Sequence, residues 1–227
     1  MNIVSFCLYG KDKLYRIGAI KNVELCKIFY PGWVPWIYCS PSIDKETLYE
    51  LKKRGAKIFV VEEDDSAFFM TYRFLPCATE EVGRVIFRDT DSRIDKREAA
   101  AVSEWIKHDT SLHIMRDHPW HIITPQTVIL GGMWGVKADK LRDIKDIIFK
   151  YSKTDKWGTD QRIIAQEIYP RFINDKTVHD EIYSNCPFPL KRDGYKFIGC
   201  QYNENDEPIH PDHLEMLKKF LQGEKVL

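Results

Sequence analysis

An apolar run that ends in two acids is the first feature with chemistry in it. In VIFRDTDSRI, residues 85–94, a hydrophobic strand runs into Asp89-Thr90-Asp91, with Arg88 and Arg93 on either side. Two carboxylates so close can approach one hard cation. Mg²⁺ or Mn²⁺ suits carboxylate oxygens and leaves positions for water and a ligand phosphate. Arg88 and Arg93 can hold the carboxylates or grip phosphate oxygens. The same acids can instead form a turn and cap the helix expected from Asp95. In open α/β sheets ligands gather beyond the carboxyl ends of strands, and a hydrophobic strand ending in acids hemmed by arginines favours the ligand reading.

Other polar residues suggest chemistry less sharply. HDTSLHIMRDHPWH holds His108, His113, His118 and His121. Zinc suits imidazole, but His118 and His121 straddle Pro119, His113 belongs to a strand-like run, and no cysteine lies nearby, so the spacing argues against a zinc site. Asp117 and His118 read as loop residues at a ligand or as structural ones. Gly131-Gly132 after an apolar run permits close backbone approach and room for a sugar ring, or marks a bulge. Trp134 can stack on a sugar or sit in the core. Asp160, at the start of a helical stretch, serves as a cap or as an acid in a site. Lys191 and Arg192 can close over a diphosphate or simply be surface cations. No G-x-x-x-x-G-K-[ST] loop is present.

These residues need a frame. Short apolar strands are expected at 3–8, 34–38, 58–61 and 84–87. Helices are expected at 15–29, 44–54, 67–75 and 95–107. The third strand is continuously apolar and β-branched, as one covered on both faces should be. This alternation predicts an α/β fold, a mainly parallel central sheet with helices on both faces. Two further strand-like runs lie within residues 112–136. Helices follow at 139–151 and 159–168, and an amphipathic one lies near the end. One domain over residues 1–227 is expected: a half ending in the acids (1–94), a second half (95–200) and a C-terminal loop and helix (201–227).

Composition narrows the function classes. The 227 residues are 44% hydrophobic and 30% charged, enough for a real core. Lys plus Arg equals Asp plus Glu at 34 each, so global attraction to nucleic acid or anionic lipid is not expected. No run approaches the roughly 20 apolar residues that span a bilayer. The first residues lack a signal-type pattern. Six scattered cysteines with no C-x-x-C pair fit buried thiols in a reducing compartment, and a cytoplasmic location is expected.

The ordered set of motifs resembles a known family. RFLP at 73–76, FRDTDSR at 87–93 and REAAAVSEW at 97–105 come first. HIMRDHPWH at 113–121, ILGGMWGVK at 129–137 and GTDQRII at 158–164 follow, then VHDEIY and PFPLKR within 178–192. Together they are similar to GT-A fold glycosyltransferases with a D-x-D motif, of the kind that act in bacterial or viral capsule and glycan biosynthesis.

The resemblance implies a role for each segment. Asp89 and Asp91 would hold Mn²⁺ or Mg²⁺ against a sugar diphosphate, the donor being a UDP-sugar and the acceptor a glycan or other hydroxyl. Phe6 to Leu8 would line the nucleobase pocket, and Arg73 would sit near the base or diphosphate. Arg88, Arg93, Asp117, Gly131, Gly132 and Lys191 would complete the donor site. A histidine from the C-terminal half completes the metal shell in many such enzymes, and His179 takes that role here. Asp160 would face the acceptor; an inverting enzyme needs a base there, and a retaining one does not. The rival readings are a sugar nucleotidyltransferase, whose signature loop LYGKDKLYR matches poorly, and a nucleotide-sugar-binding module without activity.

Overall fold

Three aspartates start three helices. Asp12 accepts from the Leu14 N–H at 3.0 Å, Asp44 from Thr47 N–H at 2.8 Å and Asp95 from Glu98 N–H at 2.8 Å. Each satisfies a donor that the first helical turn leaves unpaired. The helices are α1 (Lys13–Phe29), α2 (Lys45–Lys53) and α3 (Lys96–His108). The computed structural model describes residues 1–62, 65–121, 124, 127–153 and 156–226.

Between the helices run the strands β1 (Asn2–Leu8), β2 (Trp33–Cys39), β3 (Lys57–Val60) and β4 (Arg84–Phe87). The later strands are β5 (Leu112–Arg116), β6 (Trp134–Lys137) and β7 (Lys176–Asp180). They form one sheet in the order β3-β2-β1-β4-β6-β5-β7. β1 to β4 pair in parallel, β5 and β7 pair in parallel, and β6 runs antiparallel to both of its neighbours.

Strand alternation divides β1 between two cores. Val4, Phe6 and Leu8 pack with Val23 of α1, Leu51 of α2 and Trp105 of α3. Ile3 and Cys7 face the opposite layer, with Phe69, Phe74 and Ile164. That layer holds a 3₁₀ helix (Ala67–Ala78), α4 (Ile144–Lys150) and α5 (Thr159–Ile163), which runs on as a π-helical turn (Ile164–Ile168). The closing helix is α6 (Pro211–Leu221). Among the described residues no helix is long and apolar enough to cross a membrane.

Five details differ from expectation. β3, expected to be covered on both faces, is the edge strand of the sheet, with Ile58 and Phe59 only half-buried and Val60 exposed. The segment from 67 is a longer 3₁₀ helix, in which Pro76 has no N–H to give and the Thr71 hydroxyl bonds the Phe68 carbonyl at 2.8 Å. The strand expected through 127–136 is confined to its end, because Gly131 and Gly132 leave the sheet to pass the site. The helix expected at 139–151 opens as a separate 3₁₀ turn, Ala138–Leu141. KTVHD forms β7, a strand not anticipated from the sequence.

Candidate active site

The loops after β1, β4 and β5 leave the carboxyl edge of the sheet and line one cleft of about 720 Å³. At its centre Arg73, from the 3₁₀ helix, joins two acids. One terminal nitrogen pairs with Asp89, and the other donates to Asp160 at 2.5 Å. Burial opposes the guanidinium charge, but Asp89 and Asp160 outweigh it and push its pKa up.

Asp91 lies beside this array. It is buried and accepts from the Gln201 side-chain amide at 2.5 Å. Burial first, and then the like charge of Asp89, push its carboxyl up to about 6. Neither acid caps a helix, since Asp95 does that for α3. The alternative of a purely structural D-x-D therefore loses its main employment.

Gly131 and Gly132 make the array possible. A Cβ on Gly131 would run into the Asp160 carboxylate and the Arg73 guanidinium, and one on Gly132 into Asp89. The space expected for a sugar ring at these glycines is taken up by charged side chains. Asp160 lies in the first turn of α5, after Gly158 at φ +79°, and its carboxylate makes no cap bond. It serves Arg73 instead.

Several expected site residues lie elsewhere. Phe6 and Leu8 belong to the helix-facing core; one position along, Cys7 and Tyr9 line the cleft. Arg88 is buried on the far side of its strand, bonding Glu98 at 2.6 Å and the carbonyls of Phe87 and Trp134. Arg93 holds the D-x-D loop from outside: it meets Asp206 at 2.8 Å and the carbonyls of Ser92 and Asn203. Asp117 is buried between Arg97 at 3.0 Å and Arg192 at 2.6 Å, and accepts from Ile198 N–H at 2.9 Å. Lys191 is exposed and does not line the cleft.

His179 is likewise not beside the D-x-D. Its Nδ1 meets His113 Nε2 at 2.8 Å and its Nε2 meets Glu104 at 2.8 Å, so both ring nitrogens are engaged. It borders a separate pocket of about 290 Å³ with Phe188 and Pro189. Among the described residues, the histidines that do line the main cleft are His118, His121 and His213 of α6.

Sequence reasoning missed several cleft residues: Gln201, His121, His213, Trp120 and Trp157. Trp157 is 82% exposed and Trp120 51% exposed. A signal existed for both, since each stands in a polar, turn-rich stretch outside any apolar periodicity, where a core tryptophan has no place.

No family model matches the chain, and no curated protein matches it in sequence. Solved structures do match. One is a glycosyltransferase involved in the glycosylation of the major capsid of PBCV-1, at 15% identity and TM-score 0.50, covering 79% of this chain and 82% of that one. The fold is that of GT-A glycosyltransferases. The galactosyltransferase LgtC in complex with donor and acceptor sugar analogues matches at 14% identity and TM-score 0.51, over 78% of this chain and 73% of that one. S. aureus TarS 1–349 in complex with UDP matches at 13% identity and TM-score 0.51, over 79% of this chain. This chain spans 58% of that TarS structure. At such identities the shared property is the GT-A fold; the chemistry rests on the side chains.

Proposed function

We propose that this chain is a metal-dependent glycosyltransferase that transfers a hexosyl unit from a nucleotide sugar, a UDP-sugar, to a glycan hydroxyl. The observation that carries this reading is the convergence of Asp89, Asp91, Arg73 and Asp160 on one cleft at the carboxyl edge of a GT-A sheet. The architecture, the acids at the end of β4 and the UDP-bound neighbour support it together.

The donor set fits a hard divalent cation. Asp89 and Asp91 offer carboxylate oxygens alone, which suits Mn²⁺ or Mg²⁺. Burial, and then the like charge of Asp89, disfavour the ionised Asp91 carboxyl, and a cation between the two acids would offset both. Among the described residues, the one trio of potential ligands within 4.8 Å of one another is His210, Asp212 and His213, so Asp89 and Asp91 would share the ion with diphosphate and water. When bound, the ion supplies Lewis-acid stabilisation of the departing diphosphate.

The chain's own groups do the rest. The acceptor oxygen attacks the anomeric carbon and the carbon–oxygen bond to the diphosphate breaks. The nucleoside diphosphate leaves with the bonding electrons, and in an inverting reaction the hydroxyl proton passes to the Asp160 carboxylate. The anomeric carbon passes through an oxocarbenium-like state. Arg73 supplies a buried positive charge where negative charge collects. Tyr9 and Tyr15, which line the β1 side, flank the nucleobase. The six cysteines are unpaired, which fits a reducing compartment, and we place the protein in the cytoplasm as part of polysaccharide biosynthesis.

Calorimetric titration with UDP, with and without Mn²⁺, tests the reading. Tight binding is expected only with the metal, and not in Asp91→Ala. Equal metal-free binding by both proteins would overturn it.

A further inference from the structure

One side of the cleft is left over once a nucleotide is seated. Along the sheet, β1 and β5 are separated by β4 and β6, three spacings or roughly 14 Å. Tyr9 and Tyr15 follow β1 and the aspartates follow β4. His118, Trp120 and His121 follow β5 and line the same cleft from the far side. With the base by β1 and the diphosphate at Asp89 and Asp91, the β5 side faces the sugar and whatever attacks it.

That side is built from flat rings and neutral donors. Trp120 keeps half of its surface in solvent, an arrangement that costs apolar hydration unless something covers it. Its ring lies 5.7 Å from that of His213, tilted by 33°. His118 pins both: its Nδ1 accepts from Trp120 N–H at 3.0 Å, and its Nε2 therefore carries the proton given to the His213 carbonyl at 2.8 Å. Trp157 lies on the same cleft three residues before Asp160 and is mostly exposed.

His121 supplies the polar contact. Its Nδ1 accepts from the Asp117 N–H at 3.0 Å, which places the ring proton on Nε2. Among the described residues Nε2 has no protein partner, and His121 lines the cleft, so this N–H is the ring's free donor there. Burial pushes the imidazole down to about 3, so the ring stays neutral at ordinary pH. Gln161 adds a second group: its carbonyl accepts from the Thr127 hydroxyl at 3.3 Å, and among the described residues its amide N–H groups have no partner.

Apolar ring faces combined with neutral N–H donors match a sugar ring, which has C–H faces and equatorial hydroxyls. Among the described residues, no lysine, arginine or carboxylate lines the cleft beside His118, Phe197 and His213; the Asp212 carboxylate, within 4.8 Å of the His213 ring, stands behind the lining. Resting on the transferase reading above, we propose that Trp120, His121 and Trp157 form the acceptor subsite, and that it takes an uncharged pyranose unit of a glycan.

Saturation-transfer NMR with methyl glycopyranosides (gluco, galacto and N-acetylgluco) tests this, in the presence of UDP and Mn²⁺. At least one glycoside should receive saturation on its ring protons. Its affinity should fall about fivefold or more in Trp120→Ala and Trp157→Ala, and in His121→Ala, with recovery in His121→Gln, which restores an N–H. UDP–Mn²⁺ affinity, measured on the same samples, should stay within about twofold and shows that the variants are folded. Glycosides that bind nowhere, or bind all variants alike, would overturn the subsite. Tryptophan-dependent glycoside binding without any UDP binding would keep the subsite and sink the transferase reading.

Discussion

Gln201 donates its side-chain amide to Asp91 at 2.5 Å, across 110 positions of chain. The contact ties the loop before α6 to the D-x-D, and the Tyr202 N–H adds a second tie, to the Asp91 carbonyl at 2.8 Å. The C-terminal segment thus forms part of the aspartate site. Gln201→Ala removes a bond to a buried carboxylate, worth about 1 to 2 kcal/mol. UDP–Mn²⁺ affinity measured by calorimetry should fall roughly 5- to 30-fold, with the chain still folded. An unchanged affinity would show that Asp91 is held by its own loop alone.

The Asp89–Asp91 pair is expected to cost stability without its ligand. The folded Asp91 carboxyl titrates near 6, above its ordinary value of 3.8, because of burial and then Asp89. The native state therefore favours the protonated form, and above pH 6 the ionised group destabilises the fold by about 2 to 3 kcal/mol. Asp91→Asn should raise the melting temperature at pH 8. The gain should shrink as pH falls through 6 and vanish near 4. The same variant should lose UDP–Mn²⁺ binding, so adding both ligands should stabilise the wild type and leave the variant unmoved. Thermal scans across pH with and without ligand read both effects.

How much of this was visible beforehand depends on the range of the interaction. Asp44 and Asp95 act on helices that begin at the next residue, and the β-branched run at Ile58 declares its own strand. The D-x-D was legible for the same reason, since a strand and its terminal acids are contiguous. β1 illustrates a different limit: alternation places Phe6 and Leu8 on one face and Cys7 and Tyr9 on the other, and a strand buried on both faces does not say which face meets the ligand. Arg88 and Asp117 could be placed only with their partners known, Glu98 on α3 and Arg192 in the tail. The Asp89–Arg73–Asp160 array joins three segments up to 87 positions apart, and no local pattern announces it.

His179 offers a clean separation of expectation from structure. Its imidazole bridges His113 on β5 and Glu104 on α3, and it stands on β7 beside a different pocket. The carboxylate requires Nε2–H on a neutral His179, so His113 donates through its own Nε2. His179→Ala should cost about 1 to 3 kcal/mol of stability by leaving His113 unpaired in the core. Its UDP–Mn²⁺ affinity should match the wild type. A large loss of affinity in a variant with a normal melting temperature would restore His179 to the metal.

Gly132 tests the packing of the array by a single methyl group. Its added Cβ would overlap the Asp89 side chain and approach the Asp89 backbone. Since a carboxylate cannot share that space, Gly132→Ala should displace Asp89 from the proposed cation site and weaken UDP–Mn²⁺ binding at least about tenfold. Gly32, outside the cleft, where a Cβ meets nothing within 4 Å but φ is +83°, is the strain control. Gly32→Ala should lower stability by about 1 kcal/mol, the usual cost of a side chain in the left-handed region, with a much smaller effect on UDP–Mn²⁺ binding.

Asp160 and Arg73 share one bond but should fail differently. Arg73 is buried between two acids, so Arg73→Met leaves Asp89 and Asp160 facing each other without their cation. Both stability and UDP–Mn²⁺ affinity should drop, the first by about 3 to 5 kcal/mol as for a broken buried pair. Asp160→Asn keeps an oxygen for the Arg73 N–H and keeps the volume, so donor binding should survive. It removes the carboxylate proposed to take the acceptor proton, so glycosyl transfer to an acceptor should fall about 100-fold or more. Release of UDP from the donor should show which step is lost. If Asp160→Asn turns over as the wild type does, Asp160 is a positioning residue for Arg73 and the proton leaves by another route, as in a retaining reaction.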